Sequence, residues 1–314
     1  MPAAPTPTSA PESAAPSPHA GAVAARRAVL SGMAWMVVAG VLLVLMNALM
    51  KRIAGDLPPP QAQCLRYLFG LLAMAPLLLA HGRATLRTAH PAGQLWRGAV
   101  HAAALTLFFL ALPHVQLAEM TAILFTSPIF VLLGAALVLG ERVSAARWAA
   151  AAVGLAGVGV VLWPHLGGGA GAWTLVMLAS TPLFAASVLI TKALTRHDSP
   201  NAIVAWQNLT ITLFSVPLAL WVWRAPTGAE WALLAVCGVL GTAAHWAMTR
   251  SLQLADISAM QPLRFLDLVW SSLLGIALFG DVPTAHALIG GAVIVASTVW
   301  IARHEARSRG SPPG

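Results

Sequence analysis

Ten apolar stretches, each about twenty residues long, run through the chain with only short polar connections between them. At a helical rise of about 1.5 Å per residue, each is long enough to cross the roughly 30 Å hydrocarbon core of a bilayer. Hydrophobic residues make up 58% of the chain and charged residues only 9%, too little polar surface to cover a soluble globule. The chain reads as an all-α integral membrane protein.

Hydropathy and turn residues predict helices over 30–50, 61–80, 95–112, 116–139, 145–163, 172–193, 201–222, 230–250, 257–280 and 284–302. Asp56-Leu57-Pro58-Pro59-Pro60, Gly167-Gly168-Gly169, Asp198-Ser199-Pro200 and Gly280-Asp281-Val282-Pro283 mark turns between them. Residues 1–25, rich in Ala, Pro and Ser, are expected as a disordered tail. The apolar run behind Arg26 and Arg27 is too long for the core of a signal peptide, so an uncleaved first helix is expected.

The net charge of +8 would suit a nucleic-acid binder among soluble proteins. Here the basic residues lie between the apolar runs, where they orient helices, and no nucleic-acid partner is expected. With the N-terminus inside, thirteen of the eighteen Lys and Arg residues, Arg97 among them, fall on that side, against Lys51, Arg52 and Arg224 opposite. The bias predicts a multi-pass protein of the cell (inner) membrane with both termini cytoplasmic. Cys64 and Cys237 have no metal-ligand companions at suitable spacing; they read as small apolar residues, and neither a metal nor a cofactor is expected.

An internal repeat is visible at an offset of 140 residues. It relates Pro60-Gln61-Ala62 to Pro200-Asn201-Ala202, Leu112 to Leu252, Met120 to Met260, Gly140-Glu141 to Gly280-Asp281 and Ala145 to Ala285. Each unit holds five helices, an odd number, so the second copy enters the membrane from the opposite side. The expected organisation is a tail over 1–25, a first repeat over 26–163, a second, inverted repeat over 164–303 and a cytoplasmic tail over 304–314. Inverted repeats have two related arrangements, one open to each face, around a central site; this is the physical basis of alternating access.

The sequence resembles the drug/metabolite transporter superfamily in its ten-helix EamA branch over residues 28–303. The resemblance rests on Leu117-Ala118-Glu119-Met120-Thr121-Ala122, Thr126-Ser127-Pro128, Leu139-Gly140-Glu141-Arg142, the stretch His245 to Leu252, then Pro262, Phe265, Trp270 and Leu278-Phe279-Gly280-Asp281-Val282-Pro283. It implies a transporter of a small-molecule solute. The detail around His245, Pro262 and Trp270 is similar to a subgroup importing riboflavin or S-adenosylmethionine, while other EamA proteins export amino acids and related metabolites. A catalytic motif of an intramembrane enzyme is absent from the sequence. A non-transporting scaffold or receptor is the other alternative, distinguished by a dry midplane. Either a monomer or a homodimer is compatible with a duplicated unit.

Ionisable groups within a span are the first site candidates, because burying charge in hydrocarbon costs several kcal/mol. Arg264 and Asp267 share one helix face at i, i+3, and Trp270 continues it. They can line the cavity, with Arg264 on an anionic or carbonyl group and Trp270 stacking, or form a self-neutralised pair that locks the helix. His101 and His245 suit proton coupling or a neutral hydrogen bond to a neighbouring helix. Arg66 and Glu119 lie at similar depth and can pair for gating or coupling, or snorkel separately. Thr126 and Ser127, beside Pro128, can face the solute or repair the helix backbone, and Thr181-Pro182 has the same form. Gln207 and Asn208 read as helix glue, and Gly154, Gly157, Gly159, Gly290 and Gly291 as a packing seam.

Overall fold

Proline sets much of the helical punctuation. The computed structural model describes residues 18–53, 55–116, 120, 123–124, 126–137, 145–163, 170–254, 263, 266–280 and 284–308, and every regular element among them is helical. The helices are α1 (Pro18–Ile53), α2 (Pro59–Ala73), α3 (Ala75–His81), α4 (Pro91–Ala111), α5 (Ser127–Leu137), α6 (Ala145–Leu162), α7 (Ala170–Leu194), α8 (Pro200–Trp221), α9 (Gly228–Leu254), α10 (Leu266–Phe279) and α11 (Ala285–Ser308). Proline opens α2, α4 and α8 at the first turn, where its missing N–H costs nothing. Ser199 caps α8 by accepting from the Ala202 N–H at 3.2 Å.

Inside a helix proline has the opposite effect. The second expected span divides at Met74 into α2 and α3, because Pro76 cannot donate to the turn before it. In α7, Pro182 leaves the Leu178 carbonyl without its usual donor, and the Thr181 hydroxyl donates to that carbonyl at 2.8 Å. This is backbone repair by the residue next to the proline.

Two ends differ from the expected boundaries. The first helix begins at Pro18, so residues 18–25 of the expected tail are helical; the alanines at 20, 22, 24 and 25 favour helix. At the other end α11 continues through Ser308 rather than stopping at 302. Five helices among the described residues are long and apolar enough to cross a membrane: Arg27–Ile53, Pro91–His114, Gly171–Leu194, Pro200–Trp221 and Gly228–Leu254. Val269–Phe279 and Leu288–Ser297 are shorter apolar segments.

Element boundaries follow the 140-residue offset to within one residue: α2 starts at 59 and α8 at 200, α5 at 127 and α10 at 266, α6 at 145 and α11 at 285. The main packed pairs obey it too. The pair α1 with α9 corresponds to α7 with α4, α1 with α10 to α7 with α5, and α2 with α9 to α8 with α4. The pairs α2 with α8 and α6 with α11 map onto themselves. Gly154, Gly157, Gly290 and Gly291 are buried where α6 and α11 meet, whereas Gly159 faces open space and lies outside that seam.

Loops expected on the same membrane face lie together. On the expected outer side, Arg224 donates from Nε to the Asp56 carbonyl at 2.8 Å and pairs with Glu230, while its backbone N–H donates to Gln61 Oε1 and its carbonyl accepts from Gln61 Nε2. On the expected inner side, the Asp198 carboxylate accepts from the Thr88 hydroxyl, the Ala89 N–H at 2.9 Å and Gln94 Nε2 at 2.8 Å. Burial pushes the Asp198 carboxyl up, but these three donors and nearby His90 outweigh it and hold the group below the usual carboxylate range.

Candidate functional site

The 3.6-residue period places Gln94, Arg97 and His101 on one face of α4, at i, i+3 and i+7, and all three are buried. Arg97 is only 1% exposed. It donates from Nε to Thr191 Oγ1 on α7, from Nη1 to the Ile203 carbonyl of α8 at 3.3 Å, and from Nη2 to Gln207 Oε1. Arg97 is therefore not an inner loop charge, as its place near a helix start suggests. Its guanidinium is inserted between three helices, where oriented acceptors replace water.

One turn deeper, His101 Nδ1 lies 2.8 Å from Ser187 Oγ of α7 and Nε2 lies 3.3 Å from Tyr67 Oη of α2. The His245 ring of α9 meets it edge to face with centroids 5.6 Å apart, and Phe184 meets it at 5.3 Å. Arg66, 2% exposed, lays its Cζ 4.1 Å from the centre of the Tyr67 ring and directs Nε toward Met46 Sδ at 3.1 Å. It does not snorkel. Gly241 of α9 leaves room for it: a Cβ there would come 2.6 Å from Arg66 Nη2.

This cluster holds two guanidinium groups, two imidazoles, one phenol and one amide. Among the described residues no carboxylate bonds to either arginine. Three of its polar atoms, Arg66 Nη1, Gln207 Nε2 and His245 Nδ1, are buried without a hydrogen-bond partner. Each such atom costs about 1–3 kcal/mol in a closed core. Arg66 lies against the Tyr67 ring, Gln207 beside Arg97 and His245 against His101, which together mark a place suited to a polar solute. A cleft of about 230 Å³ lies apart from this cluster, between α2, α4 and α8, lined in part by Ala99, Ala102 and Ala103. Its polar wall satisfies itself, with Gln63 donating to Ser215 at 2.8 Å and Thr106 donating to Gln63 at 3.3 Å. It offers a solute less.

The other sequence candidates separate from this cluster. Asp267, in the first turn of α10, is buried against Gly40 of α1. Trp270, one turn on, has a buried indole Nε1 without a partner. Arg264 and Glu119, the companions expected for Asp267 and Arg66, lie outside the described residues. Thr126 and Ser127 are buried, and Thr126 donates to Thr181 Oγ1 at 2.8 Å, tying α5 to α7. Sequence reasoning named His101, His245 and Arg66 but missed Arg97, Tyr67, Ser187 and Thr191. It also read Gln207 as glue. The polar stripe at 94, 97 and 101 on an otherwise apolar helix was the available signal.

Residues 30–163 and 171–303 each match the model of the EamA-like transporter family. The chain is 35% identical to a riboflavin transporter of Rhizobium johnstonii over 294 residues, covering 93% of this chain and 97% of that one. It is 34% identical to a riboflavin transporter of Vibrio cholerae, covering 88% and 95%, and 26% identical to an S-adenosylmethionine uptake transporter of Rickettsia felis, covering 90% and 96%. One solved crystal structure shares the fold with a TM-score of 0.66 at 21% identity, covering 91% of this chain and 99% of its own. Both halves of the chain match one family, and its relatives are named as transporters. With its membrane-length helices, the chain is a multi-pass membrane transporter and belongs to the EamA-like transporter family.

Proposed function

We propose that the chain is a secondary transporter of ten transmembrane helices in two inverted five-helix repeats, moving a small organic metabolite by alternating access in the inner membrane. Both termini are cytoplasmic in this reading. Moving Arg97 from loop to interior still leaves the basic residues strongly biased to one side.

The observation that carries the proposal is the cluster of unpartnered buried polar atoms, built from both repeats: Arg66 from the first, Gln207 and His245 from the second. Alternating access needs a site at the repeat interface. Arg264, Asp267, Trp270, Thr126 and Ser127 are read as further solute contacts along the transport path, apart from this cluster. Ser127 and Asp267 stand 140 residues apart, at corresponding places in the two repeats. Glu119 acts with Arg66 in gating.

Within the two relatives' chemistries, the cluster favours riboflavin over S-adenosylmethionine. A flavin is a neutral planar ring edged with carbonyl and nitrogen acceptors, which suits guanidinium, amide and imidazole donors beside the rings of Tyr67 and Phe184. S-adenosylmethionine carries a sulfonium and an ammonium against a single carboxylate, a net positive charge that two buried guanidinium groups disfavour. Uptake of riboflavin, S-adenosylmethionine and an amino-acid panel by proteoliposomes of the purified chain tests the reading. Saturable riboflavin entry is expected, and failure of every compound to move would overturn it.

A further inference from the structure

We propose that His114 and Trp173 form a stacking site at the outer mouth, where a planar heteroaromatic ring lies on the Trp173 indole before the solute enters the protein. The inference rests on the transport reading, with riboflavin as the solute, and adds a loading site to it.

The geometry sets this pair apart. His114 closes the short turn after α4 in the first repeat, and Trp173 lies in the first turn of α7 in the second. Their rings stack nearly parallel, with 14° between the planes and 4.2 Å between centroids. The other eight ring pairs among the described residues meet edge to face. Face-to-face contact is how flat heteroaromatic rings settle on an indole.

The two rings are held differently. The indole is half-buried and packs against the main core. The imidazole is exposed, and no hydrogen bond to a described residue fixes it. One ring is a fixed floor, and the other is a cover that a second flat ring can displace or extend. Tryptophans that anchor a helix in the headgroup layer turn outward, as Trp163 and Trp221 do at 71% and 89% exposed. Trp173 instead gives a face to an imidazole.

The seam beneath the stack leads inward. On α7, Phe184 and Thr191 follow Trp173 by about three and five helical turns on one face. Phe184 meets Phe108 of α4 with centroids 5.9 Å apart and His101 at 5.3 Å. Rings therefore mark the α4–α7 seam from the outer mouth to the buried cluster.

The stack is not part of the repeated scaffold. The 140-residue offset relates His114 and Trp173 to Leu254 and Met33, at the inner end of the corresponding α1–α9 seam. That seam has its own aromatic pair, Trp35 with Trp246, but those rings meet edge to face and Trp246 Nε1 donates to Asn201 Oδ1 at 2.6 Å. Scaffold packing repeats while the parallel stack occurs at the outer end. The riboflavin ring is flat and neutral, so it can lie on the indole without desolvating a charge while its ribityl chain stays in water.

The test places a cysteine at the stack, as His114→Cys in the full chain, and follows its labelling by a membrane-impermeant maleimide in right-side-out vesicles, with riboflavin or ribitol as the probe. Riboflavin is expected to slow labelling about tenfold when present at about ten times its Kd, because the site is then free about a tenth of the time. Ribitol, which lacks the ring, leaves the rate unchanged. Adding Trp173→Leu removes the protection, Trp173→Phe keeps it, and Arg97→Gln in the buried cluster also keeps it. If His114→Cys does not reach the membrane, Ala172→Cys, exposed beside Trp173, serves as the reporter. Protection that survives Trp173→Leu, or that Arg97→Gln abolishes, comes from closure around another site and overturns the proposal. Vesicles that take up riboflavin without protecting the cysteine overturn the stacking site and leave the transport reading standing. Protection without uptake supports the site and overturns the transport reading, and the absence of both overturns both.

Discussion

His101 and His245 stand on helices of different repeats, yet their rings meet edge to face with centroids 5.6 Å apart. The contact puts one titratable group from each half at the repeat boundary. Any motion that rocks one repeat against the other would change this contact.

Arg97 should tolerate no replacement, lysine included. Its fork reaches Thr191, Ile203 and Gln207 at once, and an ammonium cannot reproduce that geometry. Arg97→Lys and Arg97→Leu are each expected to lower the initial rate of riboflavin uptake more than about tenfold, the equivalent of one charged hydrogen bond. Rates within about twofold of wild type for Arg97→Leu would remove the arginine from the site.

Two glycines on α9 should behave differently when changed to alanine. At Gly238 a Cβ would meet backbone, the Arg66 carbonyl and the Gly70 nitrogen, each at 2.8 Å. The two helices must then part, at a cost of about 1–3 kcal/mol. At Gly241 the Cβ meets only the ends of Arg66 and Met46. Gly238→Ala is expected to lower the unfolding temperature, while Gly241→Ala mainly raises KM for riboflavin by moving Arg66. Unfolding scans beside uptake kinetics separate the two, and equal unfolding losses would contradict the assignment.

Asp198 gives a pH prediction. Its folded carboxyl is held below the ordinary range, so its stabilisation is fully present above the unfolded carboxylate value and is lost as pH falls through the folded one. Asp198→Asn should destabilise the protein by about 1–3 kcal/mol at pH 7. The gap between wild type and variant should narrow as the solution is acidified through the ordinary carboxylate range. A gap that widens on acidification has the wrong sign.

The inner and outer loop clusters predict opposite labelling. A cysteine at Ser199 should react with a membrane-impermeant maleimide only from the cytoplasmic side, and one at Ala225 only from the other. The native Cys64 and Cys237 are buried and should stay silent. Labelling of both new cysteines from one side would overturn the orientation.

Much of the fold was legible because bilayer solvation writes itself into hydropathy, and because duplication repeats its punctuation: Ala145 and Ala285 begin α6 and α11 just where the offset puts them. The site was less legible. His101 and His245 were identifiable as polar residues in apolar helices, but their contact depends on how α4 and α9 cross, which no local pattern carries. Arg97 sits two turns from a helix start, where a basic residue ordinarily marks the membrane surface. Only the tertiary packing of α7 and α8 around it reveals a buried cation. The structure sets Asp267 against α1 at Gly40 rather than in the histidine cluster.

The most direct test of the buried cluster as the solute site is a riboflavin titration of the purified protein in lipid nanodiscs, read by quenching of flavin fluorescence. Saturable quenching is expected for the wild type, with Kd weakened more than about tenfold in both Arg66→Gln and Arg97→Gln, one buried charged hydrogen bond each. Saturable binding that neither substitution alters would contradict the assignment.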